Sequence, residues 1–353
     1  MQRSTPIMTL LLAACSAGGA KEVREEVPAA RGVSMPRPGR ARGEAAVALN
    51  RACERCHEAE SAEWRGSLHQ RAHVEPAYQR SFAIEPLPFC RRCHVPEGDP
   101  MLEPAPAVGE MGVGCVTCHV VEDGGAVLAV PREGSRTGEI APHGVVRDAR
   151  FATADACASC HEFAFPGSSG KRRDELMQST VSEHAESSLR ATSCASCHMQ
   201  VDGERRSSHV FAASRSPELM RAAVRVAAER ISPTAVRVSL APVGVGHALP
   251  TGDLFRRIEV SVEAFGPDNL VISSARRYLT RHFEMKKGGA GKRLVLDDRL
   301  TGERALELDL GAEAAGHPIA WRIGYQRVAH PEGAAHEDAV LEDDMELASG
   351  VIR

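Results

Sequence analysis

The chain has 353 residues, a formal net charge of −4 and an aromatic content of only 4%. This balance excludes nucleic-acid binding by bulk electrostatics, because no basic excess is available to meet a phosphate backbone. Aromatic residues are also scarce for a chain of this length that must fill a core, whereas cysteine (11) and histidine (15) are plentiful.

Behind Arg3, residues Ile7 to Ala14 form a short apolar run that ends in Leu12-Ala13-Ala14-Cys15. A charged start, a hydrophobic stretch and small residues in that order read as an export segment over residues 1–15. The run is far too short to span a bilayer. Its end resembles a bacterial lipobox, which implies a lipid anchor on Cys15; a chance cysteine in an ordinary secretory signal is the plainer alternative. Ser16 at the next position, in lipoproteins of this kind, favours the outer membrane. Residues 16–45 are rich in Ala, Gly, Pro, Arg and Glu and lack an apolar period, so a flexible tether is expected there.

Between residues 46 and 213 one pentad, Cys-x-x-Cys-His, occurs five times: Cys53/Cys56/His57, Cys90/Cys93/His94, Cys115/Cys118/His119, Cys157/Cys160/His161 and Cys194/Cys197/His198. Two thiols at this spacing form thioethers to the vinyl groups of a haem, and the histidine that follows reaches the iron. Zinc sites use Cys-x-x-Cys pairs too, but have no need of a histidine after each one. Disulfides at this spacing would close tiny loops that staple little structure. The expectation is five c-type haems. Each porphyrin is an apolar plate larger than a Trp side chain and relieves the aromatic shortage. Prolines 76, 86, 88, 96, 100, 104 and 106 punctuate the region, which predicts short helices and loops packed on haems. Without haem this half is not expected to fold.

Residues 214–353 read as a connecting helix followed by a β-sandwich. Ser216 to Ala228 carry helical spacing. Residues 235–240, 257–263, 294–296, 305–310 and 319–325 alternate apolar with polar residues, the period of half-buried strands. The fold class expected is a multihaem cytochrome c domain plus a C-terminal antiparallel β-sandwich that holds no haem of its own.

The run from Cys53 through Trp64-x-x-Ser67-x-His69-x-x-Ala72, then Gly112-Val113-Gly114-Cys115, Cys194-x-x-Cys197-His198-Met199 and Gly246-His247-Ala248-Leu249-Pro250-Thr251-Gly252, resembles the multihaem cytochromes related to the tetrahaem cytochrome c (cytochrome c-554-like) superfamily of nitrifying bacteria. That family carries electrons on haem. The fifth motif and the added β part depart from the tetrahaem pattern, so the family's haem order does not transfer whole.

What each iron does depends on its sixth ligand: histidine on both faces suits electron transfer, and an open face admits small molecules. The resemblance makes His69 a distal ligand. His143 and His209 stand in loops from which they can lean over a porphyrin, and His247 is either a ligand offered by the β part or a turn histidine. The fifth distal ligand stays open among His184, where similar sequences carry Trp, His73, Met101, Met111 or none. His282, His317, His330 and His336 read as exposed polar residues. Arg91-Arg92 and Lys171-Arg172-Arg173 are candidate propionate partners or plain solvated faces, and Asp297-Asp298 reads as an acidic turn. No Cys-x-x-Cys-Lys site, phosphate loop or nicotinamide fingerprint is placed in the chain.

The expectation is an exported electron carrier, lipid-anchored on the periplasmic or cell-surface side of the outer membrane, that meets redox partner proteins of the cell envelope. The alternatives are an oxidoreductase with one open haem acting on a small nitrogen or sulfur compound, and a structural subunit of an envelope electron conduit.

Overall fold

The structure is a computed structural model that describes residues 27–28, 34–121, 126–131, 143–203, 206–286, 291–331 and 334–353. Cys15, the export segment and the first part of the tether lie outside the described residues. Among those described, no helix is long and apolar enough to cross a membrane.

The haem-motif half is built of short helices. α1 (Glu44–Glu54), α2 (Glu58–Trp64), α3 (Pro76–Ile84), α4 (Pro88–His94), α5 (Pro106–Met111) and α6 (Cys115–His119) come first. Proline opens α3, α4 and α5, where its missing N–H costs nothing. A parallel three-stranded sheet of β1 (Val27–Pro28), β2 (Val127–Ala129) and β3 (Val145–Arg147) follows, in the order β1-β3-β2. Then come α7 (Asp155–His161), the pair β4 (Glu162–Ala164) and β5 (Leu176–Ser179), α8 (Thr180–Glu186) and α9 (Cys194–His198). The apolar cluster here is small, made of Ala46, Val47, Trp64, Val95, Val108, Met111, Val116 and Val120.

The tether expected over residues 16–45 is tied down at its far end. Pro36 accepts a bond from the Ser159 hydroxyl, and the Gly39 amide donates to the Arg92 carbonyl. Arg42 makes a two-pronged ion pair with fully buried Glu97 (2.6 and 2.7 Å) and donates to the Val120 and Val116 carbonyls. A guanidinium is suited to this double duty because it satisfies a carboxylate and carbonyls at a helix end at once.

The second half begins with α10 (Pro217–Ala222), which is shorter than expected. Residues 224–228, anticipated as the rest of that helix, instead begin β6 (Val224–Arg230). Its buried Val224, then Val226 and Ala228, alternate with charged or exposed residues, and packing against the adjacent strand overrides the weak helical spacing. β7 (Ala235–Pro242) and β12 (Arg304–Asp309) complete a three-stranded sheet in the order β12-β7-β6. The facing sheet runs β14-β13-β8-β9, from β8 (Arg256–Phe265), β9 (Val271–Leu279), β13 (Ile319–Val328) and β14 (Leu341–Ile352). All pairings in both sheets are antiparallel. Val236, Val238 and Leu240 from one sheet meet Ile258, Val260, Val262, Ile319 and Ile323 from the other in one core, which makes this half a β-sandwich. Residues 294–296 lie outside it, in the separate hairpin of β10 (Arg281–Met285) and β11 (Lys292–Asp297).

Polar bridges join the halves. Arg299 meets Glu183, Lys286 meets Glu175, Arg80 meets Glu342, and Arg281 donates to the Met177 carbonyl.

Candidate functional site

Four of the five motifs are short helices that end on their own histidine: α4, α6, α7 and α9. The first straddles the end of α1 and the start of α2. On a helix, positions three apart share a face, so each turn presents both thiols to one side. None of the ten motif cysteines forms a disulfide. Burial pushes the thiols of Cys115 and Cys118 up to about 12. Among the described residues no group of three or more His, Cys, Asp or Glu gathers as a bare metal site.

The histidines pair. His57 faces His143 with ring centroids 6.4 Å apart, His161 faces His69 at 6.2 Å, His119 faces His209 at 6.3 Å, and His198 faces His247 at 6.3 Å. An iron with two axial imidazoles, each nitrogen about 2.0 Å from the metal, sets the centroids about 6.3 Å apart. In every pair one member follows a Cys-x-x-Cys and the other is one of the four anticipated distal candidates. The residues present therefore fit haem: two thiols and an imidazole to one side, and a second imidazole at the thickness of an axially ligated iron.

Hydrogen bonds fix which nitrogen points inward. Nδ1 of His94, His119 and His198 lies 2.7, 2.8 and 2.7 Å from the carbonyls of Ala72, Leu128 and Ala212. Nδ1 of His209 and His247 lies 2.9 and 3.0 Å from the carbonyls of Ser207 and Ala248. Holding Nδ1 this way frees Nε2 for a metal, the usual outer-shell arrangement of a ligating histidine. Burial, helped by neighbouring histidines, lowers His69 to about 3 and His161 to about 4, so both rings are neutral, as ligation requires.

The residue pattern around His69 has a structural cause. The Trp64 indole donates to the Val113 carbonyl at 2.9 Å, and the Val113 amide donates to the His69 carbonyl at 2.9 Å. Gly112 sits at φ +54 with room for nothing larger: a Cβ there would lie 2.3 Å from the Gln70 carbonyl oxygen. Gly112-Val113-Gly114 is thus the backbone shelf on which the His69 segment rests.

His94 of the second motif is different. No second imidazole among the described residues pairs with it at the spacing of the other four. Its ring is stacked on Tyr78, centroids 3.9 Å apart and 12° from parallel. Neither the Tyr78 hydroxyl nor His73 Nδ1, both buried, has a hydrogen-bond partner. His184 packs against Gly246 instead of facing a motif histidine: a Cβ on that glycine would lie 3.0 Å from its ring. His73 lies 5.8 Å from Tyr78, Met101 is 70% exposed, and Met111 belongs to the small apolar cluster. Arg91 and Arg173 bond to Glu103 and Glu186, and Asp297 pairs with Arg299.

Adjacency of the motifs follows the fold and not the order along the chain. The Cys93 and Cys160 thiols lie beside each other, as do those of Cys157 and Cys194. Cys115 lies near Cys53, and Cys118 near Cys160. The fourth motif is therefore central, with the second, third and fifth against it, and the first lies beyond the third. Cys56 and Cys197, at the first and fifth motifs, are exposed. This branching was not legible from spacing, and neither were the carboxylates of Glu63 and Glu183, which hold two of the distal segments.

Residues 52–120 match the family model for cytochrome c554 and c-prime. The first three Cys-x-x-Cys-His motifs fall within that stretch, so this part of the chain is similar to that family of c-type cytochromes. No curated protein matches the chain. Among solved structures it is similar to a penta-heme cytochrome c552 from Thermochromatium tepidum, with a TM-score of 0.62 and 18% identity over 86% of this chain and 98% of that one. A likeness of this kind speaks for the fold. A second match, to MtrC from Shewanella baltica OS185, has a TM-score of 0.18 at 13% identity over 92% of this chain and 47% of that one, too low to carry an argument.

Proposed function

We propose that this cytochrome carries five c-type haems and passes electrons between partner proteins of the bacterial cell envelope. The observation that carries the reading is the set of four imidazole pairs 6.2 to 6.4 Å apart. Bound haem iron supplies one-electron chemistry by changing between its ferric and ferrous states. His57/His143, His161/His69, His119/His209 and His198/His247 would close both faces of four irons, exclude small molecules and keep the coordination the same in both oxidation states. The cysteine pairs would fix each porphyrin edge, and the contacts from the first motif through the third and fourth to the fifth give a connected path with exposed ends at Cys56 and Cys197. The structural neighbour described as penta-heme supports the count of five. An anchor on Cys15, with the protein held at the outer membrane, belongs to the same proposal and rests on the Leu12-Ala13-Ala14-Cys15 string.

Mass spectrometry of the mature protein tests this directly. Five covalent haems and a lipidated Cys15 are expected; three or fewer haems would end the reading. Cys15→Ser is expected to release the protein from membranes, and continued membrane fractionation of that variant would remove the anchor.

A second reading is favoured by His94, which lacks a facing imidazole. A haem held there would offer one open face to a small nitrogen or sulfur compound, with the other four sites supplying or withdrawing electrons. Sustained turnover of nitrite, hydroxylamine, sulfite or tetrathionate, abolished by changes around His94, would replace the carrier reading with this one.

A further inference from the structure

Two of the four distal histidines are held by the same device. His209 follows a turn whose backbone amide, that of His209 itself, donates to Glu63 Oε2 at 2.7 Å. The same carboxylate receives both prongs of Arg206, at 2.9 and 2.7 Å. His247 is followed by Ala248, whose amide donates to Glu183 Oε2 at 3.2 Å while its carbonyl meets His247 Nδ1 at 3.0 Å. The Thr251 hydroxyl donates to the same oxygen at 2.7 Å, and Arg299 reaches Glu183 Oε1 at 2.7 Å and the Pro250 carbonyl at 3.0 Å. The Ser179 hydroxyl takes the last position on Oε1, also at 2.7 Å. In both cases a carboxylate from one segment grips the backbone of another at the distal histidine, and an arginine completes its charge.

We propose that Glu63 and Glu183 are positioning residues, carboxylate latches that seat His209 and His247 over the third and fifth haems. The proposal rests on the assignment of those histidines as axial ligands. A loop offering a distal imidazole has no covalent tie to the haem, unlike the proximal side with its two thioethers, so its placement depends on whatever fixes the backbone. A carboxylate that accepts an amide bond and an arginine supplies a short, directional and charge-assisted hold.

The two latches differ in burial. Glu183 and Arg299 are 2% and 3% exposed at their side chains, and the pair joins the haem half to the sandwich. Glu63 and Arg206 are 23% and 25% exposed and lie within one half. The Glu183 latch is therefore insulated from salt, while the Glu63 latch is open to screening. Because Glu183 stands on α8 and His247 on the loop between β7 and β8, seating of the sandwich and closure of the fifth haem become one event.

The test uses the full holoprotein and reads the spin state of the ferric haems, carbon monoxide bound per reduced molecule and covalent haem count. Glu183→Gln is expected to keep five haems, convert one low-spin haem largely to high spin, and raise bound carbon monoxide from about one towards two per molecule; added imidazole restores the low-spin signal. Thr251→Val, which removes one hydrogen bond without stranding Arg299, shifts the same haem less. Glu63→Gln acts on the His119/His209 haem, and in the unmodified protein high salt reproduces part of that change only. His247→Ala and His209→Ala separate the two levels of the argument. If they open one haem each while the glutamate and threonine variants match the unmodified protein, the latches are overturned and the ligation stands. If the histidine variants change nothing, the ligation itself fails and the latches fall with it. Should Glu183→Gln not accumulate, Thr251→Val decides: an unchanged spectrum overturns the Glu183 latch.

Discussion

The two halves of this protein build their interiors in opposite ways. In the sandwich, Val236, Val238, Leu240, Ile258, Val260, Val262, Ile319 and Ile323 are fully buried by one another. In the haem half the apolar cluster is confined to α1, α2, α5, α6 and their surroundings, and the motif turns α4, α7 and α9 bury no residue completely. A strand alternating by two closes a core with its own side chains. A short helix such as α7 or α9, which carries two cysteines and a histidine and buries none of its residues, closes no core of its own and is organised around what those residues bind. One chain thus holds a part that is stable by hydrophobic burial and a part whose interior is supplied by cofactor.

The strongest way to break this contrast is to withhold haem. With all ten motif cysteines replaced by alanine, amide exchange over residues 44–119 and 155–198 is expected to become fast while the strands between residues 235 and 328 stay protected. Loss of protection in both halves together would make the molecule a single folding unit.

Within the haem half, Glu97→Ala leaves Arg42 facing two carbonyls without its carboxylate and removes the acceptor of Thr117. Breaking one side of a buried pair costs about 3–5 kcal/mol. Unfolding followed at the haem absorption band is expected to show that loss. Ile258→Ala, in the centre of the sandwich core, is expected to cost about 2–5 kcal/mol, visible in Trp321 fluorescence before the haem band changes. If both variants shift both signals equally, the halves are not energetically separate. The smallest effect expected is that of Trp64→Phe, which removes the hydrogen bond to the Val113 carbonyl. Its cost is about 1 kcal/mol, with the His69/His161 haem remaining low-spin.

Much of this was legible in the sequence because covalent haem attachment leaves a contiguous signature. The five pentads and the alternation over residues 235–240 and 257–263 each concern residues close in the chain. His143, His209 and His247 were recognisable as loop histidines, and His69 through the resemblance, but their partners were not, since pairing is made by the fold across separations such as His69 to His161. β9 and β14 were missed because edge strands carry charge, as in Glu342, Asp343 and Asp344, and that hides the period of two. Residues 224–228 were misread as helix because Val, Ala and Arg satisfy both periods. The end of the supposed tether was misread because Arg40 and Arg42 resemble solvated charges until their carbonyl partners are in place.

The central claim is that four imidazole pairs close four haems and that the second motif stands apart. Carbon monoxide titration of the fully reduced protein tests it most directly, because the gas binds only an iron with an open face. The expected result is one molecule bound per chain, with the altered haem assigned to Cys90, Cys93 and His94 by its loss in a Cys90→Ala/Cys93→Ala variant. Two or more bound molecules would contradict the pairing of the histidines, and none would contradict the exception made for His94.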